Sequence, residues 1–225
     1  VAETPIFEML AEKKRTLKMP FMHVIRSSWP AMLITCCLGG SASSLVYIIK
    51  TYINIFYCEV LRFDKTIALI YLSYSSVIMM LTMPLSGYIS DHIGRFKMII
   101  IASIAIVIAA LPAFMLLASA EIWKQIAALT VIAMLGGFIA GTAYIFIISL
   151  FSAEERFTGV AFGYNLGVAL FGGTSAVISR WLVEVTNLYH APAFYIIATS
   201  LLFLAMAYSM RKTIIRLIDT NLKPK

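Results

Sequence analysis

No aspartate or glutamate sits in the middle of any long apolar run of this sequence, and charged residues of either sign make up only 13% of its 225 positions. Soluble domains carry about 25% charged residues, so a water-soluble globular fold is excluded. Long polar linkers are missing too, and the short connections leave no room for a separate soluble domain. Cysteine is confined to Cys36, Cys37 and Cys58, without metal-ligand spacing, and the histidines at 23, 92 and 190 are scattered. Neither a metal nor another cofactor is expected. The apolar runs hold no serine–histidine or paired-aspartate arrangement, so an enzyme is not indicated.

What the chain has in abundance is apolar length. Hydrophobic residues make up 61% of the sequence and the mean hydropathy is +0.90. Runs of about 18 or more such residues suffice for a helix to cross a ~30 Å hydrocarbon core. The reading is an all-α membrane protein with six transmembrane helices, over about 29–55, 66–90, 98–119, 126–150, 158–183 and 191–210. Residues 1–28 form an approach segment, 29–210 the helix bundle and 211–225 a basic tail. Asp64 is placed to cap the second helix, and Pro84, Pro112 and Pro192 lie in spans or at their ends. An even number of spans puts both termini on one side, together with the loops after spans two and four. That side holds thirteen of the 18 lysines and arginines, the other four. The positive-inside rule therefore predicts cytoplasmic termini in a plasma (inner) membrane. The same asymmetry explains most of the +7 net charge without a nucleic-acid partner. The chain begins with Val1 rather than methionine, and a piece of something longer is expected.

The loop after span two reads GYISDHIGRFK, with Gly87, Asp91, Gly94, Arg95 and Lys97 at fixed spacing. This pattern resembles the G-x-x-x-D-x-x-G-R-x-[RK] signature of the major facilitator superfamily. A second stretch, Phe151 to Glu184, resembles the metabolite:proton symporter branch of that family, which holds proline/betaine, α-ketoglutarate, citrate and shikimate carriers. Arg156, Thr158, Gly159, Gly163, Tyr164, Asn165, Phe171, Gly172 and Gly173 carry this likeness, and Glu3 to Leu10 resembles the end of the branch's central loop. One departure is Ala153, Glu154 and Glu155, where the branch often has proline and threonine before the arginine. The resemblance implies the C-terminal six-span bundle of a twelve-span carrier, partnered by an N-terminal six-span half. It further implies a loop motif, Gly87, Asp91, Gly94, Arg95, Lys97 and Arg156, that gates the conformational change.

Substrate-facing candidates follow from polar residues inside spans, where they are expensive. Ser43, Tyr47, Lys50 and Asn54 fall on one helical face. Lys50 either lines a cavity, where it would favour a carboxylate-bearing solute, or lies toward the outer end and snorkels to the interface. Tyr74 serves equally as ligand or packing residue, and Asn165 is the cavity candidate of span five. Glycines at 159, 163 and 167 and at 137 and 141 read as close-packing faces. The expected function is the C-terminal half of a proton-coupled carrier of proline/betaine or an organic acid, working by alternating access. Its partners would be the lipid bilayer, the solute, a proton and the other half, which would supply the proton-binding carboxylates. The alternative is a truncated, non-transporting membrane protein that binds another helix bundle.

Overall fold

The computed structural model describes residues 20–119 and 121–222. Six of its helices are long and apolar enough to cross a membrane, and they are numbered here as spans one to six. They are Trp29–Val60, Lys65–Ile93, Arg95–Leu117, Ile122–Ser149, Arg156–Thr186 and Pro192–Ser209. A short helix, Pro20–Ser27, precedes span one, and a tail helix, Arg211–Leu222, follows span six. The Glu3–Leu10 resemblance and the basic residues Lys13, Lys14, Arg15, Lys18, Lys223 and Lys225 lie outside the described residues.

Local chemistry sets the ends. Pro30 and Pro192 sit in the first turns of spans one and six, where the missing N–H is no loss and the fixed φ suits a helix. Asp64 Oδ1 accepts the Thr66 N–H at 2.7 Å and starts span two. Gly94, at φ +96°, ends span two and starts span three in one residue; an L side chain there would be strained. Asn187, at φ 56°, closes span five in the left-handed region that asparagine tolerates. Span one runs past the expected stop at Ile55 because Glu59, which breaks the apolar run, is met by Arg180 of span five. The basic tail, read from sequence only as charge, is a helix docked through the fully buried Ile214, with Asn221 Nδ2 donating to Ser149 O at 3.4 Å.

Packing follows a pattern of threes. Span one rests on spans five, six and four, while span four rests on spans two, three and one; spans three and six meet each other. Shifting each number by three maps the first set onto the second, and three spans per unit reverse the direction of crossing. That is the arrangement of an inverted repeat. Span one is the central helix of its set: 72% of its apolar window is buried, against 22% for span five. Ile34, Leu38, Leu45, Ile48, Ile49, Ile53 and Phe56 supply its part of the core.

Glycines let the partners approach. A Cβ on Gly167 would stand 2.2 Å from the Cys36 carbonyl of span one, and one on Gly141 would stand 2.4 Å from the Met83 carbonyl of span two. Both are backbone contacts that no rotamer can relieve, as close helix crossings in membranes require.

Candidate functional site

Span one is not a regular helix. Its α-helical hydrogen bonding gives way to π turns at Ile48–Tyr52 and Phe56–Val60, and span five has one at Val168–Gly172. Each π turn accommodates an extra residue and re-aims the side chains around it, and such turns recur at functional sites. Lys50 occupies the middle of the first, exposed and with no ion pair or hydrogen bond among the described residues.

The depth of Lys50 follows from a neighbour. Ile49 packs where a Cβ on Gly136 would lie, 2.6 Å from Ile49 Cδ1, and Gly136 stands at the middle of Ile122–Ser149. The same Cβ would lie 3.8 Å from Leu45 Cγ, so the middle of span four falls between Leu45 and Ile49, and Lys50 stands inside span one, on the Glu59 side of that level. An exposed ammonium there either faces a water-filled cavity or reaches the head-group layer along its stem.

Tyr47, one turn below, is 41% exposed and lies against Gly172 of span five. Across the same region Tyr144 of span four and Tyr164 of span five meet edge to face, ring centroids 5.8 Å apart. The Tyr164 ring also covers Gly39 of span one, two turns before Tyr47. The structure therefore gathers Tyr47, Tyr144 and Tyr164 from three spans; Tyr144 had no distinguishing signal in the sequence. Asn54 is half-buried, its Oδ1 accepting from Cys58 Sγ at 3.7 Å. Asn165 is exposed, its Nδ2 donating to Ala161 O at 2.7 Å, which leaves the amide oxygen open. Tyr74 stands apart: its hydroxyl shares a hydrogen bond with Thr130 Oγ1 at 2.7 Å, joining spans two and four.

The loop motif lies at the end of the bundle that also carries the two flanking helices, called here the basic end. Arg95 pairs with Asp91 one turn back at 3.8 Å, both well exposed. A Cβ on Gly87 would meet nothing within 4 Å. Lys97 is exposed, and Arg156 is half-buried with its Nε unpartnered. The residue missed from sequence is Glu155. Its carboxylate accepts the hydroxyls of Ser27 at 2.7 Å and Ser28 at 2.6 Å, fastening the start of span five to the entry of span one. At the opposite end Arg180 holds Glu59 and, at 2.9 Å, Glu184. The Arg180–Glu184 spacing is a helical i,i+4 pair and was readable; the link to Glu59 needed the fold.

No solved structure matches the chain. The family model for the Major Facilitator Superfamily matches residues 3–176. Among curated proteins, the ectoine/proline transporter ProP of Corynebacterium glutamicum is 27% identical over 87% of this chain and 41% of its own length. The glycine betaine/proline/ectoine/pipecolic acid transporter OusA of Dickeya dadantii is 24% identical over 94% of this chain and 44% of its own. The proline/betaine transporter of Escherichia coli is 23% identical over the same shares. The chain spans less than half the length of each of these relatives. With six spans in two inverted sets of three and a model match over most of its length, the chain belongs to the Major Facilitator Superfamily.

Proposed function

We propose that these six spans form the C-terminal bundle of a proton-coupled carrier for a small carboxylate-bearing solute, of the proline/betaine type. The observation that carries this reading is Lys50, an exposed cation on a π turn within span one that makes no ion pair among the described residues. It would take the solute carboxylate in a charge-assisted hydrogen bond. Tyr47, on the same face, and Tyr164 with Tyr144 beside it would offer ring faces to the ammonium end of a zwitterion. The relatives named above are transporters of such zwitterions, and a site pairing one cation with aromatic faces fits that chemistry. Asn54 and Asn165 would add amide contacts.

The cavity would close against a second six-span bundle, with access alternating as the two rock. The lysine and arginine asymmetry supports cytoplasmic termini, and the likeness to bacterial transporters supports a plasma-membrane setting. Asp91, Arg95 and Arg156 would exchange partners at the basic end during that motion. The proton would be carried by the other bundle, since the interiors of these spans hold no carboxylate.

The test is solute uptake by the complete carrier containing this chain. Losing a hydrogen bond to a charged group costs about 1.5–3 kcal/mol, so Lys50→Ala raises KM for proline or betaine roughly tenfold or more. Lys124→Ala, at the end of span four and already paired with Glu121, changes KM less than about twofold. Unchanged affinity in Lys50→Ala removes the proposed site. The 225-residue chain alone, supplying one wall of the cavity, does not transport; proton-driven uptake by that chain alone after reconstitution refutes the two-bundle reading.

A further inference from the structure

On the outer flank of the bundle, spans three and six and the tail helix enclose a groove of about 710 Å³. Ile101 and Ile104 of span three, Leu204 of span six and Ile215 of the tail helix form apolar walls. Lys97 and Arg211, both exposed, are its only charged lining residues among the described residues. Neither makes an ion pair among the described residues, whereas Arg95 nearby is paired with Asp91. The end wall of the groove is fixed rather than loose, because the tail helix is held by the buried Ile214 and by Asn221 on Ser149.

This arrangement separates two chemistries along one direction. The isoleucine walls lie along membrane-crossing helices, so acyl chains are the medium that reaches them. The two cations stand where span three begins and span six ends, at the level of a head group. A water-soluble anion gains nothing from apolar walls, and a zwitterionic phospholipid brings its phosphate only together with an ammonium that two cations repel. We propose that the groove is a binding site for one anionic phospholipid, with its phosphate between Lys97 and Arg211 and an acyl chain along Ile101 and Ile104. Basic pockets between transmembrane helices are suited to such head groups. The bound lipid would bridge the gate loop, through Lys97, to the tail helix, through Arg211.

The experiment uses the complete carrier containing this chain in nanodiscs of equal phosphatidylglycerol and phosphatidylcholine, with retained lipid counted by native mass spectrometry after detergent extraction. Wild type retains phosphatidylglycerol about fivefold over phosphatidylcholine, and the Lys97→Gln/Arg211→Gln double variant brings the ratio near one. Lys212→Gln/Arg216→Gln, which removes equal charge from tail-helix positions outside the groove lining, keeps the preference. A second measurement leaves the cations in place: a tryptophan introduced by Ile104→Trp is quenched more by brominated phosphatidylglycerol than by brominated phosphatidylcholine. Equal retention of both lipids by wild type overturns the proposal, as does equal quenching. Equal loss of preference in both charge variants also overturns it, because that marks diffuse surface charge rather than a site.

Discussion

Spans one and four hold equivalent places in the two sets of three, yet their pairings are built differently. Span four meets span two as helices without π turns, span two carrying Pro84 in its interior, and the two are fastened in their middle. Tyr74 bonds Thr130, while Ser86 donates to Phe138 O at 2.5 Å and bonds Thr142 Oγ1 at 2.7 Å. Span one meets span five through π turns on both sides. Among the described residues, the side-chain hydrogen bonds and ion pairs joining these helices lie at the two ends, Ser28 with Glu155 and Glu59 with Arg180. Between those clamps the contact is glycine against backbone, ring or the small side chains of Thr35 and Ser43. Hydroxyl bonds through the middle fix a register, whereas small smooth faces clamped at their ends permit one helix to shift on the other once a clamp opens. Under the proposed function, the contrast predicts that the span two–four pair acts as scaffold and that the pair carrying Lys50 moves.

The largest expected effect that would break this contrast comes from the glycines. Gly141→Ala and Gly167→Ala each force a methyl against a backbone carbonyl, and overpacking of this kind costs about 1–3 kcal/mol. Both variants melt at lower temperature, but in the complete carrier Gly167→Ala also abolishes uptake, while surviving folded Gly141→Ala protein transports. The reverse ranking of transport would show that the pairs have been assigned wrongly.

A middle-sized effect sharpens the same contrast. Ser86→Ala removes two bonds inside the membrane, where such contacts are worth about 0.6–1.7 kcal/mol, so the thermal midpoint drops with little change in transport rate. Glu155→Gln weakens the clamp on Ser27 and Ser28. Its midpoint shifts less than that of Ser86→Ala, and its uptake rate changes, read as the maximal rate at saturating solute. If Glu155→Gln moves stability alone, the clamp is structural and the pair does not hinge there.

The sequence carried the six spans because hydropathy is read directly by the bilayer, and it carried the loop motif because Gly94 needs positive φ and sits between two long helices. It placed Tyr47, Lys50 and Asn54 on one face by counting 3.6 residues per turn. The π turns escaped that counting. Gly172 and Gly173 mark the end of the one in span five, but IIKTY and FYCEV in span one contain neither glycine nor proline. Their shift comes from packing between helices far apart in the chain. Glu155 was hidden for the same reason, since its partners lie 127 and 128 residues away.

The smallest effect concerns how the outer partners start. Asp64, the residue before span two, caps its own helix, while Glu155, the residue before span five, makes no cap bond and reaches to span one instead. Hydrogen bonds from the Thr66 hydroxyl and backbone N–H hold the Asp64 carboxyl below the usual carboxylate range. A depressed folded-state value means that the ionised cap stabilises above the unfolded pKa of ~3.9 and that this contribution fades as pH falls through the folded value. Asp64→Asn accordingly lowers the thermal midpoint slightly at pH 7, less than Ser86→Ala does, and the gap from wild type narrows on acidification below about pH 4. Melting curves of the two proteins across that range check it. A gap that persists unchanged in acid shows that the Asp64 charge does not favour the helix start, leaving span two held by its middle alone.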